Sequence, residues 1–172
     1  MPSYTHLAYR RNAKAAARNQ QIKKPKNAEL LKKAREDFGF FCEYVADKPP
    51  AEHHQHWHRH FVTDQDSSCL IKIAGPNVDL LAPRGSAKST VLGLLTAWAI
   101  GIHTYEKLPL QILYLSYTVD IARSKSATIK RIIESKRYQE VFPSVRLLKN
   151  VTSNEYWSID HKFAGIDTTG EE

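Results

Sequence analysis

Leu80-Leu81-Ala82-Pro83-Arg84-Gly85-Ser86-Ala87-Lys88-Ser89-Thr90 is the stretch on which the reading of this chain turns. An apolar run at residues 78–82 feeds a loop of small residues, and the loop opens directly into a segment patterned as a helix that starts with Lys-Ser. Backbone N–H groups of such a loop, together with a helix N-terminus, can surround a triphosphate; the lysine then reaches the outer phosphates and the hydroxyl holds Mg²⁺. The spacing differs from G-x-x-x-x-G-K-[ST] at both glycine positions, which are Ala82 and Ala87 here. Alanine enters left-handed backbone space only at a cost that glycine avoids, so the loop is expected to be altered or strained. Arg84 adds a guanidinium four residues before the lysine, where it can stabilise charge on a γ-phosphate in cis.

Outward from the loop, the pattern alternates. Upstream, Leu30, Leu31, Ala34, Phe38, Phe41, Cys42 and Val45 recur at helical spacing, with Asn27 as the expected cap and Pro49-Pro50 as the stop. A short helix is expected over 51–62, with Trp57 and Phe61 on one face. Residues 69–74 and 78–82 read as strands around the turn Gly75-Pro76-Asn77. Downstream, a helix is expected from Ser89 towards Ile102. Residues 111–116 then form a continuous apolar run of the kind buried in parallel sheets. A helix over 118–135 follows, with Ile121, Ile129, Ile132 and Ile133 as its buried stripe, and short strands are expected at 145–148, 155–159 and 162–166. Strand, loop, helix, strand, helix is the order of an α/β sheet.

The 172 residues suit one ordinary domain, and an apolar share of 42% supports a core. No apolar run reaches the roughly 18 residues that cross a bilayer; the longest, 91–102, is interrupted by Gly93, Thr96 and Gly101. The N-terminal stretch carries neither the apolar core nor the cleavage site of a secretory signal. Two cysteines, Cys42 and Cys69, make no disulfide framework, which points to a reducing cytoplasm. The net charge of +7 is asymmetric: Arg10, Arg11, Lys14, Arg18, Lys23, Lys24 and Lys26 stand in residues 1–26 without one acid, and the remainder balances at 18 against 18. A basic arm at 1–26 is therefore expected ahead of a neutral folded part at 27–172, and the arm is either a solvated terminus or a contact to nucleic acid or a partner.

Within His53-His54-Gln55-His56-Trp57-His58-Arg59-His60, Gln55 can both donate to and accept from an adenine edge, and an aromatic ring stands two residues on. His54 with His58, and His56 with His60, have the i,i+4 spacing of a metal pair, but no ordered carboxylate or cysteine set completes a site, and a solvated helix face is the expectation.

Taken in order, the glutamine helix at 52–61, the arginine-bearing loop at 82–90, and Ile112-Leu113-Tyr114-Leu115-Ser116-Tyr117 leading into 121–135 and Tyr138-Gln139-Glu140-Val141-Phe142-Pro143 resemble the large terminase subunit of tailed bacteriophages. The resemblance runs from residue 27 to the C-terminus. It implies an ASCE-like P-loop NTPase three-layer sandwich, incomplete here, preceded by a helical region. It further implies an ATP-dependent motor that moves double-stranded DNA into a capsid in the cytoplasm of an infected bacterium, working with a small terminase subunit and a portal protein. By position, Gln55 would read adenine; Pro83, Arg84, Gly85, Ser86, Ala87, Lys88, Ser89 and Thr90 would cradle ATP; Arg84 and Lys88 would be catalytic; and Ser89 would hold Mg²⁺.

The acids such a motor needs are absent from the expected places. Asp160 and Asp167 follow strand-like segments, yet neither follows four aliphatic residues or precedes a second acid, and no carboxylate cluster for a two-metal nuclease exists. The chain thus reads as the N-terminal piece of a terminase, from a split, truncated or deliberately shortened gene, with a companion polypeptide carrying the rest as one of these arrangements. The alternatives are a fragment of another P-loop motor such as a helicase, or a non-enzymatic remnant that binds DNA or a partner.

Overall fold

Helices carry most of the structure, because residues recurring three and four apart give each of them an apolar face to bury. The computed structural model describes residues 28–61 and 79–165, and 60% of these are helical. The chain divides into two units, Met1–Leu30 and Leu31–Glu172. Of the first, residues 28–30 are described, and they open helix α1 (Ala28–Glu36). The expected basic arm, the Asn27 cap, the strand at 69–74 with its turn, and Asp167 lie outside the described residues.

In the second unit α1 is followed by α2 (Phe38–Ala46), α3 (Glu52–Phe61), α4 (Lys88–Tyr105), α5 (Val119–Glu134), α6 (Lys136–Val141), β1 (Leu147–Thr152), β2 (Trp157–Ile159) and α7 (His161–Ala164). The single helix expected from residue 27 to the prolines is two helices. Asp37 leaves helical space (φ −122°, ψ 109°) and its carboxylate accepts the Phe40 N–H at 3.1 Å, so an aspartate competing for the backbone ends one helix and caps the next. Asp47, in left-handed space, closes α2 ahead of Pro49.

The core forms where α2, α4 and α6 meet. Phe38, Phe41, Trp98, Tyr138 and Phe142 are all at most 2% exposed and meet stacked, tilted or edge-on with ring centroids 5.2–6.5 Å apart. Their polar tips are satisfied: Trp98 Nε1 donates to the Ala34 carbonyl at 3.1 Å, and the Tyr138 hydroxyl donates to the Ala97 carbonyl at 2.8 Å. The Gln139 amide donates to Ile133 O (2.7 Å) and Val145 O (2.9 Å), tying the end of α5 to the chain after α6. Cys42 sits in this core, and burial pushes its thiol up to about 12. Along α5 the buried stripe is Ile129 and Ile133, with Ile132 partly buried; Ile121, expected in that stripe, is exposed.

The sheet departs most from expectation. β1 and β2 pair antiparallel, Leu147 opposite Ile159 and Thr152 opposite Trp157, with a register shift between. In place of the third expected strand, at 162–166, the described residues form α7: the Asp160 carboxylate accepts the Phe163 N–H at 3.1 Å and Gly165, at φ 69°, ends the turn. Residues 79–82 and 111–116 carry no ladder among the described residues, and Leu81, Leu113 and Leu115 are 95%, 82% and 80% exposed. A buried parallel strand needs neighbours for its N–H and C=O groups and layers over both faces, and the described residues supply neither. The described architecture is therefore mixed α/β, mostly helical with one two-stranded sheet, and the described residues do not show the expected three-layer P-loop sandwich. No described helix is long and apolar enough to cross a membrane.

Candidate functional site

The loop at 83–90 bends because its backbone enters the left-handed region twice, at Gly85 (φ 87°) and at Ala87 (φ 56°, ψ 16°). Gly85 does so freely, with open space where a Cβ would stand. Ala87, at the position where the ordinary motif has its second glycine, bears a strain of about 1–2 kcal/mol. A weak turn bond from Ser86 N–H to Pro83 O (3.4 Å) precedes it, and Ala87 then caps α4 with no side-chain hydrogen bond. The Thr90 and Val91 N–H groups return to the Ala87 carbonyl at 2.9 and 3.0 Å. Among the described residues the N–H groups of Lys88 and Ser89 meet no acceptor, so the positive end of an 18-residue helix is left open.

Beside these donors stand two cations. Arg84 is exposed and Lys88 half-buried, and neither has an ion-pair partner among the described residues. Pro83, Gly85, Ala87, Ser89 and Thr90 are exposed and Ser86 is half-buried. Ser89 and Thr90 also line a cavity of about 220 Å³ with Lys48, Tyr114, Lys125 and Ile129. These donors fit an anion with several phosphate oxygens: free N–H groups at a helix start, one ammonium, one guanidinium and an exposed hydroxyl. For Mg²⁺ the fit rests on Ser89 alone. Among the described residues no group of three or more metal-ligating side chains converges, and the Asp160 carboxylate is occupied as the cap of α7.

Gln55 stands apart from the loop's cavity. It is exposed on α3 and lines a different, polar cleft of about 420 Å³ with Asp37, Phe38, Glu43, His58 and Arg59. The histidines around it divide by face. His56 and His60 face each other, Nε2 to Nε2 at 3.2 Å, on the exposed side. His58 stacks on Phe38 (centroids 4.8 Å apart) and meets Trp98 edge-on; burial pushes its pKa below the ordinary histidine value. Trp57 packs against the rings of His53 and His54.

His54 is the residue that motif reasoning missed. It is buried, at 9% exposure; its Nδ1 accepts the Ala51 N–H at 3.2 Å, and its Nε2 lies 2.8 Å from the Ser86 carbonyl oxygen. Because Nδ1 accepts, the ring proton sits on Nε2, which donates to Ser86. This bond joins α3 to the loop across 32 residues of chain, a separation that no local pattern announces.

No protein-family model matches the chain, and neither does any curated protein or solved structure.

Proposed function

We propose that this chain binds the phosphates of ATP, with Mg²⁺, on the loop at 83–90, as the nucleotide-binding part of a terminase-type DNA-packaging motor. The observation that carries the phosphate reading is the pair of left-handed residues, Gly85 and Ala87, followed by the unpaired N–H groups of Lys88 and Ser89. In this reading Lys88 meets the outer phosphates, Ser89 the metal ion and Arg84 the γ-phosphate; Gln55, which lines a separate cleft, takes no part in it. The motor reading rests on the terminase resemblance, with double-stranded DNA, a small subunit and a portal protein as partners in the cytoplasm of an infected bacterium. The exposure of Leu81, Leu113, Leu115 and Tyr117 supports a companion polypeptide. The capping role of Asp160 supports hydrolysis by such a complex rather than by this chain alone.

Calorimetric titration with Mg·ATP tests the phosphate reading. Lys88→Ala removes a charge-assisted contact worth about 1.5–3 kcal/mol and should weaken binding tenfold or more. Equal binding by variant and parent overturns it.

A further inference from the structure

We propose that His54 is a positioning residue that latches the loop at 83–90 in its anion-binding shape through the Ser86 carbonyl; this rests on the phosphate reading of the loop. A peptide unit is planar and trans, so the Ser86 C=O and the Ala87 N–H point in opposite directions. With the carbonyl held 2.8 Å from His54 Nε2, on α3, the Ala87 N–H is aimed away from α3.

The same bond bears on the strained residue. A flip of the 86–87 peptide would carry Ala87 from φ 56° to the ordinary negative-φ region, so an alanine here has a built-in tendency to abandon the observed shape. The flip would also turn the Ser86 carbonyl away from His54 and leave a buried ring N–H without its acceptor. His54 is itself fixed from behind, since the Ala51 N–H at the start of α3 holds Nδ1 at 3.2 Å and thereby sets the proton on Nε2. The helix that bears Gln55 and the loop that bears Lys88 are thus mechanically joined by one donor.

The chemistry of the latch predicts which substitutions keep it. Gln places an amide N–H near the position of Nε2, whereas Asn stops short of it and Leu fills the volume without donating. In Mg·ATP titrations of the full chain, His54→Leu and His54→Asn should bind about tenfold more weakly than the parent, and His54→Gln within about twofold of it. Adding Ala87→Gly to His54→Leu should regain part of the loss, because glycine holds the left-handed shape without support. Cooperative unfolding of each variant confirms that the core is intact. Amide exchange at 85–89 in the nucleotide-free protein supplies a second readout, expected to quicken in His54→Leu and not in His54→Gln. If Lys88→Ala loses binding while His54→Leu binds as the parent does, the latch is wrong and the phosphate reading stands. If Lys88→Ala changes nothing, the phosphate reading fails, and unaltered exchange in His54→Leu then overturns the latch as well.

Discussion

Ala87 occupies backbone space that costs an L-residue with a Cβ about 1–2 kcal/mol, and it does so with no side-chain cap to offset the strain. Strain of this kind persists only where the surroundings over-determine it, and here they include the His54 bond to Ser86 and the start of an 18-residue helix. Replacing the residue by glycine removes the clash while enlarging the freedom of the unfolded chain by about 0.5–1 kcal/mol. Ala87→Gly should therefore be neutral to stabilising, by up to about 1 kcal/mol, in line with the preference for glycine over alanine at an N-cap. Chemical denaturation of the two proteins measures this; a loss of stability would show that Ala87 is not strained in solution.

At the scale of elements, α4 is the helix against which the others are fitted. Gly101 permits the Phe142 ring to lie on its backbone, since a Cβ there would come within 2.5 Å of that ring, and Phe142 is itself fully buried. Gly101→Ala gains about 1 kcal/mol of helix propensity but overpacks by about 1–3 kcal/mol, so a net loss of up to about 2 kcal/mol is expected. Trimming the ring in Gly101→Ala/Phe142→Leu should recover part of it in the same denaturation experiment. The contact of α3 with the core has a pH signature. Burial against Phe38 and Trp98 lowers the pKa of His58, with Asp37 opposing and Arg59 assisting, and burial lowers that of His103 as well. Between the lowered folded values and the ordinary histidine value the unfolded chain binds more protons, so stability rises with pH through that window and falls as the pH drops through it. His58→Phe keeps a stacking ring without the titration and should flatten the slope, as urea midpoints across the acidic range would record.

For the whole molecule, the uneven charge sets the expected behaviour toward nucleic acid. The seven cations of residues 1–26 are unopposed, while the rest of the chain is balanced. Affinity for duplex DNA should fall with salt at a log-log slope no steeper than about −6, from about −0.9 per phosphate neutralised, and deleting residues 1–26 should flatten it. Fluorescence anisotropy over a salt series checks both; an unchanged slope after deletion would move DNA binding to the folded part. There, two arginines are already engaged: Arg123 with Asp120 and Glu155, and Arg137 with Asp47.

What the sequence determined by itself is what short-range physics controls. The periodicity that runs from Val91 to Ile102 and from Ile121 to Ile133 made helices of those segments, because a helix satisfies its own backbone within four residues. The strain at Ala87 was legible for the same reason, since a missing glycine is a local fact. Other local devices were legible only in part: Asp37 splitting the first helix and Asp160 opening α7 are caps whose sequence signals compete with an apolar pattern running through them. Tertiary structure alone decided the rest. A strand at 111–116 needs a neighbour, and among the described residues it has none, so apolar residues there are exposed. Gln55 faces a cleft separate from the cavity lined by Ser89 and Thr90, whereas His54, one residue before it, meets the loop at 83–90. That choice between adjacent residues belongs to the packing of α3, because partners 32 residues apart are joined by geometry rather than by any spacing in the chain.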